Sequence, residues 1–389
     1  MTGHPETFDG SGASGIPARV IMLTPSLTGR DGISAAARLM VRALASGEAW
    51  PDRASNEPAR VTVWTLGEAA PAEFCLPAIG MVYRWAGGNR ARYVSWALRA
   101  SPRSHRATLV VVGHVQLAPA ALPLIARGAR AALILYGVEA WRRLPPVQQL
   151  LARCATTRIA ISRHSAGRFQ AANPSCASLP VEICTLALPS SSDAVEAHAS
   201  GRGFALIVGR LAGAERYKGH DLLLELWPLI VRDVPGATLM VVGDGDDRAR
   251  LEAKAATLGL GGAVRFLGRV TDAHLRTLYR DCAFFVMPSH GEGFGLVYLE
   301  AMRAYKACIG GTGAPTEIIQ HERTGLIVDP GSPEAVRSAV LRLFREPQSR
   351  ERMGAAGAER ARTLFSEDVF RQRFLRALGF PREPAACAG

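Results

Sequence analysis

The sequence predicts an α/β protein built from two doubly wound domains. Runs of four to eight apolar residues alternate with helical patterns along nearly the whole chain. Runs that are apolar throughout indicate strands covered on both faces, as in parallel sheets. The length of 389 residues is typical of two to three domains. A polar break at residues 189–203, after which the pattern restarts, favours two.

Each half of the pattern supplies the strands of one sheet. We interpret residues 1–17 as a disordered tail, 18–188 as the first domain, 189–203 as a linker and 204–365 as the second domain. The strands predicted for the first domain are 19–25, 61–66, 79–83, 108–113, 131–136, 158–162 and 181–186. Those predicted for the second are 204–208, 238–242, 264–267, 283–287, 308–310 and 326–328. Ligands of open α/β sheets bind at the carboxyl ends of the strands, so we expect a site in a cleft between the domains.

The charge is strongly basic, with 46 Lys and Arg against 34 Asp and Glu. Such a field attracts nucleic acid, anionic lipid and phosphorylated substrates alike. The sequence contains no recognisable helix-turn-helix, zinc finger or aromatic RNA-binding motif, so we expect no nucleic-acid partner. Seven scattered cysteines predict neither a disulfide framework nor a zinc site and favour a reducing, cytoplasmic compartment.

Two segments bear on the membrane. The most apolar window, 107–126, is interrupted by polar residues and prolines, so no spanning helix is predicted, and residues 1–17 do not resemble a signal peptide. Residues 84–106 contain six arginines, Trp85, Tyr93, Trp96 and no acid, around a predicted helix at 89–99. Either this helix lies on an anionic membrane surface, or it is a solvated face with its tryptophans turned into the core.

Two carboxylates surround a glycine-rich turn in the second half of the chain. Glu292 and Glu300 are eight residues apart, after the predicted strand 283–287 and around a helix start at Phe294-Gly-Leu. The unpaired N–H groups and the dipole of a helix N-terminus stabilise an anion. The segment therefore predicts an anionic ligand at the start of this helix, within reach of both carboxylates.

Two cations follow another predicted strand of the same half. Arg210 and Lys218 come shortly after the strand 204–208. A cation about 4 Å from a diphosphate contributes roughly 4 kcal/mol at an effective dielectric near 20. Cations and carboxylates together predict a site for a nucleotide sugar.

These segments resemble the donor-binding half of the retaining GT-B glycosyltransferases of family 4. The motifs are spread over residues 19–330. The resemblance implies two Rossmann-like domains facing an interdomain cleft, with the last helix, 366–380, crossing back to the first domain. It implies transfer of a hexose, with mannose favoured, from a GDP- or UDP-sugar to a glycan or polyprenyl-diphosphate-linked acceptor in exopolysaccharide or cell-envelope synthesis. No metal ion and no other cofactor is expected, because two fixed cations hold the diphosphate.

The resemblance also assigns roles to matching positions. Glu292 resembles the residue that binds the donor sugar near its reacting carbon, and Glu300 the one that binds the ribose. Arg210 and Lys218 resemble the pair that grips the diphosphate. The other donor-binding positions implied are Gly32, Arg269, Val270, Phe294, Gly295 and Leu296. Front-face attack, in which the departing phosphate takes the acceptor's proton, leaves no general base to assign.

The first domain departs from the family's pattern at two positions. The usual Gly-Gly is here Asp31-Gly32, and Tyr136 stands where many members place a histidine that contacts the donor sugar. His114 and Glu139, at the ends of two predicted strands, are candidate acceptor or sugar contacts.

Two alternatives stay open at this point. A sugar-nucleotide epimerase of the same architecture would show no acceptor-dependent transfer. A basic nucleic-acid-binding protein would show binding to DNA or RNA that depends steeply on salt.

Overall fold

The computed structural model describes residues 17–29, 31–50, 60–68, 81–100, 107–189 and 202–380. The predicted tail, apart from Pro17, lies outside these residues, as does most of the predicted linker at 189–203. The predicted domain boundaries therefore stay a prediction.

The first sheet has seven parallel strands among the described residues, in the order β3-β2-β1-β4-β5-β6-β7. Its central strands are buried throughout, as expected for runs of Val, Leu and Ile with helices on both faces. The strands are β1 Arg19–Thr24, β2 Val61–Thr65, β3 Met81–Trp85, β4 Thr108–Val112, β5 Arg130–Leu135, β6 Thr157–Ala160 and β7 Glu182–Ile183. The helices between them are α1 Gly32–Ala45, α2 Arg90–Arg99, α3 Ala118–Ile125, α4 Pro146–Cys154 and α5 Arg163–Ala172.

The second sheet has six parallel strands among the described residues, in the order β10-β9-β8-β11-β12-β13. Val208 pairs with Val242 on one side of β8, and Leu206 pairs with Phe285 on the other. The strands are β8 Arg202–Val208, β9 Thr238–Val242, β10 Val264–Gly268, β11 Cys282–Met287, β12 Cys308–Gly310 and β13 Gly325–Ile327. The helices are α6 His220–Asp233, α7 Arg248–Thr257, α8 Asp272–Asp281, α9 Leu296–Arg303, α10 Pro315–Ile318, α11 Pro333–Arg345, α12 Pro347–Leu364 and α13 Glu367–Ala377.

Both sheets have the doubly wound order, and the predicted α/β fold is confirmed. In each, the chain starts at a central strand, winds to one edge and then returns to wind the other way. The strand order reverses between β1 and β4 in the first sheet and between β8 and β11 in the second. Loops after such paired central strands are where ligands of these sheets bind.

The chain divides into two compact units. Among the described residues, the first unit contains those up to Ile134, Pro145–Ile159 and those from Arg371 onward, and the second contains Leu135–Leu144 and Ala160–Phe370. Within the first unit, Arg371 of α13 donates to Glu48 at 2.6 Å. The end of α13 thus belongs to the same unit as α1.

Candidate functional site

The predicted cations and the first predicted carboxylate follow the two strands at the reversal point of the second sheet. Arg210 comes two residues after β8, and Glu292 comes five residues after β11. These strands are direct neighbours in the sheet. The fold therefore brings together two segments that are more than 70 residues apart in sequence.

A short 3-10 helix, Gly213–Lys218, carries the second cation and a carboxylate that the motif analysis did not assign. Glu215 lies between the two predicted cations. Arg210 donates through Nη2 to its Oε1, and the Nζ of Lys218 lies 2.9 Å from its Oε2. The side chains of Glu215 and Lys218 are 12% and 13% exposed, whereas that of Arg210 is 66% exposed.

Glu292 lies in the field of this charged group. Burial raises the pKa of its carboxyl, Lys218 and Arg210 act against that rise, and Glu215 adds to it. The residue as a whole is half-buried, but its Oε1 has neither solvent contact nor a hydrogen-bond partner. A carboxylate oxygen left in this state is costly in the free protein and is available to a ligand hydroxyl.

The glycine-rich turn is held in place by close packing. A Cβ on Gly293 would lie 2.4 Å from the carbonyl oxygen of Tyr136, so a side chain there would force the two segments apart. The carbonyl of Gly293 accepts hydrogen bonds from Ser162 at 2.7 Å and from Ser165 at 3.1 Å. Gly295 has a φ of 104°, in the left-handed region, immediately before α9. The turn is therefore fixed before any ligand binds.

The N-terminus of α9 is anchored to the end of β11. The hydroxyl of Tyr298, which is fully buried, donates to the carbonyl of Met287 at 2.6 Å. Phe294 is 2% exposed and packs against Phe365, with ring centroids 6.0 Å apart. The side chain of Phe294 is buried. An anion at this helix start would therefore be bound by the backbone N–H groups of residues 294–296 and not by the ring.

Glu300 lies about one turn into α9, as the spacing predicts. The hydroxyl of Tyr279 donates to its Oε2 at 2.8 Å. Burial raises the pKa of the Glu300 carboxyl, while the hydrogen bond from Tyr279 and the charge of Arg303 act against the rise. Tyr279 itself is 4% exposed and packs beside Phe285 of β11. The tyrosine thus fixes the orientation of the carboxylate.

Arg269 and Val270 lie where the prediction puts them, in the loop between β10 and α8. Arg269 is exposed and Val270 is half-buried. Thr271 ends this loop by capping α8 through its side chain, which accepts from the N–H of His274 at 3.2 Å. No described contact joins Arg269 or Val270 to the charged group around Glu215.

Tyr136 and Glu139 belong to the second unit and form a tight turn. Both oxygens of Glu139 accept backbone hydrogen bonds, from the N–H of Tyr136 at 2.8 Å and from that of Gly137 at 2.9 and 3.0 Å. Glu139 therefore shapes the turn that packs against Gly293. Its predicted contact with an acceptor stays a prediction.

Gly32 and His114 belong to the first unit. Gly32 is the first residue of α1, where the side chain of Asp31 caps the helix by accepting from the N–H groups of Ile33 and Ser34 at 2.9 Å. His114 is 7% exposed, and its Nδ1 accepts from the N–H of Gln116 at 3.2 Å. This bond is structural, and the predicted contact of His114 with an acceptor or sugar stays a prediction.

The sequence analysis did not assign Glu215, Tyr279 or the serine pair Ser162 and Ser165. The signal available for Glu215 was its position, since it is an acid three residues before Lys218 in a basic segment. Tyr279 had none, because its contact with Glu300 depends on how α8 packs beside α9. The serines are far from Gly293 in sequence, so only the fold shows their role.

The described residues contain neither a cluster of metal-ligating side chains nor a helix that could span a membrane. No group of three or more His, Cys, Asp or Glu side chains there is placed to hold a metal ion. None of the described helices combines the length and apolar character needed to cross a bilayer. Metal independence stays a prediction.

Sequence comparison relates the second half of the chain to known transferases. Residues 191–360 match the family described as glycosyl transferases group 1. The chain is 37% identical over 150 residues to a GDP-mannose-dependent alpha-(1-6)-phosphatidylinositol monomannoside mannosyltransferase of Mycobacterium tuberculosis, covering 36% of this chain and 39% of the relative. It is 39% identical over 171 residues to the D-rhamnosyltransferase WbpZ of Pseudomonas aeruginosa, covering 43% of this chain and 42% of the relative. The chain thus spans about two fifths of the length of these curated relatives.

Structural comparison covers nearly the whole chain. Anabaena HepE in complex with UDP and glucose matches with a TM-score of 0.69 at 17% identity, covering 93% of this chain and 99% of that one. The sucrose-phosphate synthase from Thermosynechococcus elongatus matches with a TM-score of 0.72 at 18% identity, covering 92% and 97%. At these identities the likeness establishes the two-domain GT-B fold and nothing about substrates.

Proposed function

We infer that this chain, whose residues 191–360 match the glycosyl transferases group 1 family, transfers a hexose from a nucleotide sugar to an acceptor hydroxyl with retention at the transferred carbon. The observation that carries the proposal is the convergence of Arg210, Lys218 and Glu292 at the ends of β8 and β11. These three side chains act on one another electrostatically, since both cations lower the pKa that burial raises at Glu292. Such a group fits a ligand with a diphosphate next to a sugar.

The two cations stabilise the negative charge that develops in the main chemical step. Cleavage of the bond between sugar and phosphate builds negative charge on the departing diphosphate, and fixed positive groups stabilise that charge in the transition state. Arg210 and Lys218 are positioned for this role by the ends of β8 and of the 3-10 helix Gly213–Lys218. The N–H groups at the start of α9 add to the same field.

The two carboxylates orient the donor. The Oε1 of Glu292, which has no partner within the described protein, would accept a hydrogen bond from a sugar hydroxyl. Glu300, held by Tyr279, would accept bonds from the ribose. We propose no protein base, because the leaving phosphate can take the proton of the attacking hydroxyl. The step then needs only a sugar donor, an acceptor hydroxyl and the charges described.

The preferred donor is proposed to be GDP-mannose. Relatives named as GDP-mannose-dependent mannosyltransferases support this choice. UDP-sugars are the competing class, since HepE is named in complex with UDP and glucose. The acceptor is proposed to be a glycan or a lipid-linked sugar of envelope or exopolysaccharide synthesis.

Peripheral membrane association is a separate part of the proposal and concerns α2. The helix exposes Arg90, Arg92, Arg99 and Leu98, the last 57% exposed. Its aromatic residues are largely used inside the first unit, where Trp96 packs on Trp64 with centroids 5.7 Å apart. Attraction to anionic lipid therefore depends on the arginines, and it should fall steeply with salt. If the protein does not float with anionic vesicles at low salt, the proposed membrane association is wrong.

The function is tested by a thermal-shift panel of GDP, UDP, ADP and their sugars with the full chain. A ligand that binds only the folded protein raises the melting temperature, so the panel identifies the donor before any acceptor is known. Selective stabilisation by GDP and GDP-mannose is expected. A panel in which no nucleotide shifts the melting temperature would contradict the proposal.

Product analysis separates transfer from isomerisation. Incubation of the donor identified by the panel with candidate glycan and lipid-linked acceptors should release free nucleoside diphosphate only when an acceptor is present. Conversion of the sugar nucleotide to its epimer without an acceptor would favour an epimerase instead. Addition of a chelator should leave the rate unchanged if the two cations replace a metal.

A further inference from the structure

The charged group at the ends of β8 and β11 contains as many acids as bases. Arg210 and Lys218 are its cations, and Glu215 and Glu292 are its carboxylates. A diphosphate that enters this group therefore meets two cations that already have an anionic partner. That partner is Glu215, which contacts both of them.

The placement of Glu215 is specific. The backbone leaves helical geometry at this residue, with φ −117° and ψ 25°, inside the 3-10 helix Gly213–Lys218. The N–H of Glu215 donates to the carbonyl of Ala212 at 2.8 Å, which fixes the kink. The side chain is 12% exposed, so its charge is only partly screened by water.

The two ion pairs of Glu215 differ in how easily a ligand can replace them. The Arg210 side chain is 66% exposed and can rotate away from Glu215 without disturbing packing. Lys218 is 13% exposed, and its Nζ lies 2.9 Å from Oε2, which nevertheless has no partner in hydrogen-bonding geometry. The pair with Lys218 is thus held mainly by charge, and Arg210 is the cation that can more easily turn to a stronger anion.

We propose that Glu215 is an internal counter-ion that competes with the nucleotide diphosphate for Arg210 and Lys218 and so sets the affinity for nucleoside diphosphates. In the free protein it pairs with both cations and offsets one of their two charges, and it does so beside the mostly buried Lys218, where an unpaired charge is costly. When a diphosphate is bound, the negative carboxylate remains close to it and weakens its binding. The residue acts through the two cations, and it is a positioning and affinity-setting residue. The inference rests on the proposed function, because it takes the diphosphate to bind these cations.

The test compares the full-length protein with Glu215→Gln, which keeps the size of the side chain and removes its charge. Affinities for GDP and UDP are measured separately by titration calorimetry. We expect the variant to bind the nucleotide that binds wild type about tenfold more tightly, because a nearby like charge has been removed. The gain should shrink when ionic strength is raised from about 0.05 M to about 0.5 M, since salt screens charges that are partly exposed.

Two further variants make the result specific. Glu359→Gln removes an exposed acid of α12 that pairs with Arg362, and it should leave nucleotide affinity unchanged. Lys218→Ala tests the proposed function itself and should weaken binding strongly.

The possible results separate the two ideas. If Lys218→Ala loses affinity while Glu215→Gln binds with equal or weaker affinity, the counter-ion role is wrong and the proposed function stands. If Glu215 merely holds the loop 213–218 in place, Glu215→Gln should bind the nucleotide more weakly than wild type and should also have a lower melting temperature. If neither nucleotide binds wild type, or if Lys218→Ala binds as well as wild type, the proposed function fails and the inference fails with it.

Discussion

Two glycine-containing turns, one in each unit, each have a nearby glutamate, and the two carboxylates are held in opposite ways. Glu68 in the first unit accepts four hydrogen bonds through Oε1, from the hydroxyls and N–H groups of residues 26–28. Burial alone would raise the pKa of Glu68, but these bonds outweigh it and hold the pKa below its ordinary value. Glu292 in the second unit has no such bonds at Oε1, and burial raises its pKa. The Oε2 of Glu68 is also buried without a hydrogen-bond partner, so the contrast between the two residues lies in the four bonds at the Oε1 of Glu68.

On this difference we interpret Glu68 as a structural carboxylate and propose that Glu292 binds a ligand. Hydrogen bonds to Glu68 stabilise its charge and hold the loop that leads into α1. Glu292 is kept partly desolvated beside two cations that are paired with Glu215. A protein tolerates such an arrangement where a ligand completes it. The predictions below test this distinction, from the largest expected effect to the smallest.

The largest effect is expected from the cations beside Glu292. Arg210→Ala or Lys218→Ala should lower turnover by roughly 10² to 10³, as for other losses of a preorganised charge that stabilises a transition state. Steady-state kinetics of the purified variants, with circular dichroism to show that they are folded, measure this. Arg216→Ala is the matched control, because Arg216 lies in the same 3-10 helix but pairs with Asp247 at 3.0 Å. Turnover near that of wild type in both test variants would remove the cations from the mechanism.

The second-largest effect is expected from His220, another buried titratable group near the cations. Burial, with a further contribution from Lys218, lowers the pKa of His220 from 6.5 to about 4. The folded protein thus keeps His220 neutral, whereas the unfolded chain takes up a proton as the pH falls below 6.5. The free energy of unfolding should therefore fall by on the order of 3 kcal/mol between pH 6.5 and pH 4 on account of this residue.

Urea unfolding at several pH values measures that loss. His220→Gln should flatten the dependence on pH in this window. His274→Gln, at an exposed position of α8, should leave it as in wild type. An unchanged slope in His220→Gln would show that the histidine is not buried in its neutral form.

A smaller effect is expected from the carboxylate of the first unit. Glu68→Gln should lower the free energy of unfolding by about 1 to 2 kcal/mol, because a neutral amide accepts the four hydrogen bonds less strongly. The exposed Glu182→Gln is the control for loss of one charge. Glu292→Gln should behave oppositely, with an unchanged or higher melting temperature and lower turnover. Equal destabilisation by Glu68→Gln and Glu292→Gln would end the distinction between the two carboxylates.

The smallest effect is expected from the tyrosine that holds Glu300. Tyr279→Phe removes one hydrogen bond, worth about 1 kcal/mol, so the donor KM should rise about fivefold while kcat stays within about twofold. Tyr93→Phe is the matched control, since its buried hydroxyl donates to the carbonyl of Trp64 at 3.0 Å in the first unit. A donor KM that is unchanged in Tyr279→Phe would show that the orientation of Glu300 does not depend on this bond.

The sequence was a sufficient guide to the elements of the fold. Each predicted strand corresponds to a strand of the structure to within a few residues, including the short β12 at Cys308–Gly310. Continuous apolar runs identify strands of parallel sheets because both faces are covered by helices. The predicted last helix, 366–380, corresponds to α13 at Glu367–Ala377.

The candidate site was only partly accessible to sequence. Arg210, Lys218 and Glu292 could be named because they lie close to strand ends in a recognisable motif. Glu215 could not be assigned a role, because its importance comes from the kink that places it between the two cations. Tyr279 could not be named either, since α8 and α9 are separate in sequence and meet only in the folded protein.

The sequence by itself determined the two sheets, the family motif and the loops in which the charged residues lie, because these follow from local periodicity and from residue order along single strands. Only the tertiary structure decided which charges pair with one another and which carboxylate oxygens of the described residues are left without a hydrogen-bond partner. Those outcomes depend on contacts between segments that are distant along the chain and on how completely each group loses its water. Neither the contacts between distant segments nor the loss of water from a group can be read from a short stretch of sequence.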